Sequence, residues 1–152
     1  MFETAKKHLK EYNLDDRIIE FPISTATVLE AANALKCTEG EIAKSLAFLL
    51  EDNPILIIAA GDKKIDNSKY KQTFHIKAKM IPFDQVEKLI GHAAGGVCPF
   101  GINDNINVYL DESLKQYPIV YPACGTPNSA VKLSILELEK ASNYISWVDV
   151  CK

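Results

Sequence analysis

The apolar positions of the chain fall into short runs whose spacing switches repeatedly between helix-like and strand-like. Phe2, Ala5, Leu9 and Tyr12 recur at helical spacing with lysines between them, which predicts an amphipathic helix over residues 2–12. Residues 17–21 read as a strand that Pro22 stops. Thr27 and Glu30 have the spacing of a capping box, and the helix they open carries Val28, Ala31, Ala32 and Leu35 on one face. Thr38 and Glu41 repeat that spacing over a short turn. A mostly apolar run, residues 43–50, and a wholly apolar one, residues 55–60, then flank the polar turn Glu51-Asp52-Asn53-Pro54. This arrangement predicts a hairpin at the centre of a sheet.

Further on, Asp66 is expected to cap a helix through about Phe74, and residues 78–81 to form a short strand. Asp84 is expected to cap a helix carrying Val86, Leu89 and Ile90, closed by Gly91. Strand-like segments follow at residues 106–110, 118–121 and 129–133, then a helix over residues 135–141 and a last strand over residues 145–149. Helices and strands interleave, but hairpins are frequent, so the expected fold class is α+β with a mixed sheet. With no repeat, low-complexity tract or linker, residues 1–152 are expected to form a single domain, long enough for a substantial core.

One loop breaks the pattern. Gly95-Gly96-Val97-Cys98-Pro99-Phe100-Gly101 packs three glycines and a proline into seven residues. Proline stiffens such a loop, and glycine lets another group approach the backbone closely. The loop is therefore either a tight turn or a concave site whose N–H groups receive a carbonyl, carboxylate or phosphate. A second glycine-bearing loop, Ala123-Cys124-Gly125-Thr126-Pro127-Asn128, precedes the 129–133 segment. Lys44 opens an apolar run, where a lysine either snorkels to water or reaches into a pocket to hold an anion or a carbonyl oxygen. Ser24 and Thr25 stand just before the first long helix, where capping alone would explain them. Cys98 could act as a nucleophile if His92, six residues upstream, generated its thiolate.

Composition narrows the options. Hydrophobic residues at 47% and charged residues at 24% are ordinary globular values. No apolar run approaches the roughly 20 residues of a membrane span, and the N-terminus lacks the apolar stretch of a signal peptide. The four cysteines and three histidines are dispersed, which points to reduced thiols in a cytoplasmic protein and to no metal site. A net charge of −3 argues against a whole-surface nucleic-acid binder. Against this, six lysines fall between Asp62 and Lys79, and such a local patch either steers a polyanion to one face or is merely solvated.

Taken together, several segments resemble the YbaK/prolyl-tRNA-synthetase-associated domain family, which contains freestanding trans-editing deacylases and the editing insertion of bacterial prolyl-tRNA synthetases. The markers are Ser24-Thr25-Ala26-Thr27, Ile42-Ala43-Lys44-Ser45-Leu46, Ala59-Ala60-Gly61-Asp62, the glycine-rich loop, Leu110-Asp111-Glu112-Ser113-Leu114 and Ala123-Cys124-Gly125. The lysine segment and a Gly-x-x-x-Pro loop some fifty residues later form a fairly specific pair.

The resemblance implies a mixed, barrel-like sheet flanked by helices. It also implies hydrolysis of the ester that joins a mischarged small amino acid to the 3′-terminal adenosine of a tRNA, typically the tRNA for proline. Lys44 and Gly95 take the central positions, and Ser24, Thr25, Gly96, Val97, Cys98, Pro99, Phe100, Gly125 and Asn128 are expected around the aminoacyl group. Lys63, Lys64, Lys69 and Lys71 become candidates to touch the tRNA. The implied partners are aminoacyl-tRNA and an aminoacyl-tRNA synthetase, with no cofactor and no metal. The alternative is a non-catalytic tRNA- or nucleotide-binding module of the same fold. Where the cysteine-specific branch of the family carries an acidic residue, this chain has Ala130, and Thr126-Pro127-Asn128 replaces basic residues usual there. The resemblance thus implies the reaction class without naming the amino acid.

Overall fold

The structure, a computed structural model, describes residues 1–152. Its elements are α1 (Phe2–Lys10), β1 (Ile18–Glu20), α2 (Val28–Leu35), β2 (Ile42–Leu50), β3 (Asn53–Ala60), α3 (Asn67–Phe74) and α4 (Val86–Ile90). They continue with β4 (Asn107–Asp111), β5 (Ile119–Pro122), β6 (Ser129–Val131), β7 (Leu133–Ser134), α5 (Ile135–Ser142) and β8 (Ser146–Val148). Six strands form one sheet in the order β7-β5-β2-β3-β4-β8, curled into a half-barrel, and β1 pairs with β6 in a separate two-stranded ribbon. The β2–β3, β5–β7 and β1–β6 pairs are antiparallel, whereas β2–β5, β3–β4 and β4–β8 are parallel. The mixed, barrel-like architecture is therefore as expected.

The central hairpin follows from its sequence. Residues Ile55–Ala60 of β3 are at most 1% exposed, because β3 is covered on both faces. Leu56, Ile58 and Ala60 face the main core with Ala43 and Ala47 of β2, Val108 and Leu110 of β4, and the helical residues Leu9 and Leu138. Ile55, Ile57 and Ala59 face a second cluster with Phe48, Tyr70 of α3 and Val150. Period-two alternation thus divides one strand between two cores.

Two capping expectations are met in detail: Thr27 accepts from the Glu30 N–H with Glu30 reaching back, and Asp66 accepts from the N–H groups of Ser68 and Lys69. The structure adds a third box, in which Ser134 accepts from the Glu137 N–H and Glu137 reaches back.

Three other expectations need correction. The hairpin turn is shorter than four residues: Asn53 and Pro54 already pair in β3, and Glu51 takes a left-handed φ of 58°. Residues 78–81 form no strand. Only Met80 bridges to Phe48, and Pro82, lacking an N–H, ends the contact. Asp84 caps nothing, because Phe83–Gln85 is a 3₁₀ turn that runs straight into α4.

Candidate active site

The glycine-rich loop lies against the second loop, backbone to backbone. A Cβ on Gly96 would fall 2.4 Å from Thr126 N and 2.5 Å from the carbonyl carbon of Gly125. The Gly125 N–H donates to the Gly96 carbonyl at 3.0 Å. Gly125 itself has a φ of 83° and sits against the backbone of Met1, so it too must be glycine. These glycines set the separation of the two loops.

Between the joined loops and the edge of β2 lies a cavity of about 100 Å³. Ala43, Lys44 and Ser45 form one wall and Ala94, Gly95 and Val97 the facing one. Thr25 to Val28 and Ala31, at the start of α2, close one end. Tyr121, Ala123, Ser129 and Ala130 close the other. At a share of about 30 Å³ per water, the space suits a handful of heavy atoms, the size of an alanyl or seryl group.

The polar inventory is short. No Asp, Glu, His or Cys lines the cavity. Thr25 is tied to the Pro127 carbonyl through its N–H at 2.6 Å and its hydroxyl at 3.4 Å. The Thr27 hydroxyl caps α2, and Ser129 shares a 2.6 Å hydrogen bond with Thr126. Only the Ser45 hydroxyl is enclosed and without a partner. On the facing wall, Ala94 to Gly96 form a 3₁₀ turn in which Gly96 N–H returns to the Ala93 carbonyl. The N–H groups of Ala94, Gly95 and Val97 make no bond within the protein. Three residues lining a small, mainly apolar space thus carry free backbone donors.

Lys44 lines the cavity but alternates onto the opposite side of β2 from Ser45, where it also borders a neighbouring space shared with Lys64 and Ile65, and its ammonium is half-buried. It donates to the carbonyls of Gly61, at 3.3 Å, and Lys63. No carboxylate pairs with it in a salt bridge. Burial lowers its pKa below 10.5, with Lys64 adding to the effect and Asp62 and Cys151 opposing it. Two of its three N–H groups are spent on neutral carbonyls, which leaves one donor and the full charge for a ligand.

Of the residues singled out in the sequence, Thr25, Lys44, Gly95 and Val97 meet at this cavity. Ser24 is exposed beside it and donates to Glu30 at 3.2 Å. Gly96 and Gly125 lie behind the wall. Cys98, Pro99 and Phe100 turn inward to the core, and Asn128 is exposed, bonded to the Phe21 carbonyl at 3.1 Å. Lys63 and Lys64 adjoin Lys44, whereas Lys69 is held by Asp149 at 3.0 Å and Lys71 is exposed on α3.

A nucleophilic Cys98 does not fit this geometry. Its thiol is fully buried, burial raises its pKa far above the ordinary range, and its nearest polar partner is the Phe100 carbonyl at 3.6 Å. His92 is also buried; it spends Nε2 on the same carbonyl at 2.6 Å, and burial lowers its pKa. Sequence reasoning did not assign Ala26, Val28, Ala31, Ile42, Ala123 or Ser129 to the site. Small or apolar lining residues carry no chemical signal of their own. Ala130 does line the cavity, so the position noted for lacking an acid lies at the site.

Comparisons with known proteins agree with this picture. The pattern of the aminoacyl-tRNA editing domain matches residues 23–141. The chain is 46% identical over 151 residues to the uncharacterized protein YwhH of Bacillus subtilis (strain 168), covering 99% of this chain and 96% of that one. It is 26% identical over 136 residues to EbsC of Enterococcus faecalis (strain ATCC 700802 / V583), described as a proposed Cys-tRNA(Pro)/Cys-tRNA(Cys) deacylase, covering 88% and 80% of the two chains. A crystal structure described as a proposed trans-editing enzyme for prolyl tRNA synthetase superimposes with a TM-score of 0.88 at 30% identity, covering 99% and 96%. The chain belongs to the aminoacyl-tRNA editing domain family.

Proposed function

We propose that residues 1–152 act as a single editing domain, a trans-acting deacylase that hydrolyses the ester of a small non-cognate amino acid on the 3′-terminal adenosine of a tRNA. The tRNA for proline is the first candidate. The observation that carries this reading is the cavity of about 100 Å³ lined by loop residues with free N–H groups and by Lys44, whose ammonium has no carboxylate partner.

An aminoacyl ester is already activated, so the protein's task is to position it and to stabilise the oxyanion that forms when water attacks the carbonyl carbon. The N–H groups of Gly95 and Val97 take that charge. The C–O bond to the ribose then breaks, the 3′ oxygen receives one of the water's protons, and the amino acid leaves as a carboxylate with the other proton released to solvent. With no carboxylate, imidazole or thiol lining the cavity, the ribose hydroxyl beside the ester orients the water. Lys44 holds the phosphate or ribose of the terminal nucleotide, and Lys63 and Lys64 extend the positive rim toward the rest of the strand.

Selectivity follows from size. A methylene in an apolar pocket is worth about 1–3 kcal/mol, so a synthetase leaks near-isosteric amino acids that a second, smaller site can remove. The substrate reaches this site from an aminoacyl-tRNA synthetase in the cytoplasm, where the four free cysteines stay reduced. Deacylation of mischarged tRNA by the parent and by Lys44→Ala tests the reading. Loss of most activity in the variant is expected, and equal rates would remove Lys44 from the mechanism.

A further inference from the structure

The edge of β2 facing the cavity is interrupted at one residue. In β2 the Ala47 carbonyl accepts from Ile81 N–H at 3.0 Å, and the Leu49 N–H donates to the Lys79 carbonyl at 2.8 Å. Odd-numbered residues of this strand therefore direct their backbone groups away from β3. The neighbour β5 covers that edge only at Ile42 and Ala43, opposite Tyr121 and Pro122. The next residue, Ala123, turns away to pair with Ala130. The 79–81 segment covers the edge again from Ala47. Ser45 falls in the gap, and neither its N–H nor its carbonyl has a backbone partner on that side. Its hydroxyl is enclosed and unpartnered as well.

Ser45 also lines both the 100 Å³ cavity and an adjoining apolar one of about 330 Å³ that continues to Met80 and Phe83. A donor, an acceptor and a hydroxyl on one residue thus stand unused at the junction of two cavities.

An α-aminoacyl ester presents the complementary set: an ammonium that donates and, two bonds away, a carbonyl that accepts. The cavity contains no carboxylate for the ammonium, and Ala130 supplies none. We propose that Ser45 is the residue that anchors the aminoacyl group. Its carbonyl and hydroxyl oxygens accept from the α-ammonium, while its N–H donates to the ester carbonyl oxygen as a third donor beside Gly95 and Val97. The substrate thereby adds one residue to an open strand edge, as peptides do in strand addition. Recognition through the backbone reads what all amino acids share and leaves their discrimination to the shape of the cavity. This proposal rests on the deacylase reading and specifies how its substrate is held.

The test uses the whole protein and a non-hydrolysable analogue, 3′-(L-alanylamino)-3′-deoxyadenosine, followed by amide NMR. In the free protein the Ser45 amide is expected to exchange with water about a hundredfold faster than those of Lys44 and Leu46, which face β3. Adding the analogue should shift the Ser45 resonance and slow its exchange at least tenfold. Shifts at Gly95 and Val97 with Ser45 unchanged would overturn the anchoring role, whereas no shift anywhere would count against the deacylase reading itself.

Activity gives an independent arm. Ser45→Ala should lower kcat/KM about tenfold and Ser45→Thr should restore it. The parent should cleave a lactyl ester, which lacks the ammonium, at least tenfold more slowly than the alanyl ester on the same tRNA. Equal rates on the two esters, together with an Ser45→Ala variant within twofold of the parent, would refute it.

Discussion

Replacing Gly96 by alanine tests whether the two loops really set the width of the cavity. The new Cβ would lie 2.4 Å from Thr126 N, 2.5 Å from Gly125 C and 2.7 Å from Thr126 Cα, all of them backbone atoms that no rotamer change can move. Ordinary contact begins near 3.4 Å, so the loops must part by about 1 Å. That movement stretches the 3.0 Å bond from Gly125 N–H to the Gly96 carbonyl beyond useful range. Overpacking costs about 1–3 kcal/mol and the lost hydrogen bond about 0.5–1.5 kcal/mol, together roughly 2–4 kcal/mol. For a chain of this length the corresponding fall in Tm is about 5–15 °C. A misplacement of about 1 Å at a reacting centre can also cost on the order of a hundredfold in rate.

The comparison variant is Gly95→Ala, whose Cβ would meet only the side chains of Ala26 and Pro127, at 3.1 and 3.2 Å. Calorimetry should therefore show a large loss for Gly96→Ala and a loss of no more than about 1 kcal/mol for Gly95→Ala. Equal melting temperatures for the two variants would refute the account of loop packing. A destabilised Gly96→Ala with undiminished deacylation would detach that packing from the site.

Three further outcomes are expected. Burial lowers the pKa of Lys44 below 10.5, so the folded protein releases this proton before the unfolded chain does. The charge is a cost to folding at neutral pH that is relieved as pH rises toward 10.5, while deacylation should decline over the same alkaline range. The pH–rate profile of Lys44→Arg should keep its plateau to higher pH. A thiol reagent should label half-buried Cys37 before Cys98, Cys124 and Cys151, and Cys98→Ala should keep full activity, both read by mass spectrometry alongside the deacylation assay. Asp111→Ala should cost about 2–4 kcal/mol in a denaturant titration, because it orphans the N–H groups of Ser113 and Val150 that the carboxylate accepts at 3.0 and 2.9 Å.

The parts of the fold that were legible in the sequence are those where one physical rule acts alone. Two apolar runs around a polar turn gave the central hairpin, and Thr27 and Asp66 sit where short polar side chains can reach helix N–H groups. The misreadings arise where neighbours decide. Residues 78–81 are apolar enough for a strand, but β2 offers them only the stretch beyond Ser45 and Pro82 ends the pairing.

The site divides along the same line. Lys44 is conspicuous because a charge is unusual in an apolar run, and Gly95 because glycines cluster there. Ser45 is an ordinary strand residue by composition, and its interest comes from β5 departing at Ala123, which no local pattern reveals. Cys98, Pro99 and Phe100 share the loop's motif, yet the chain turns inward after Val97 and buries them.

The most direct test of the central claim is a size series on one tRNA. The tRNA for proline is charged in turn with glycine, alanine, serine, proline and leucine, and the rate of ester hydrolysis above the uncatalysed background is measured for each. A cavity of about 100 Å³ bounded by loop amides should cleave the small esters and discriminate against leucine by at least a hundredfold, with proline spared relative to alanine. Hydrolysis of all five at similar rates, or of none, would contradict the account.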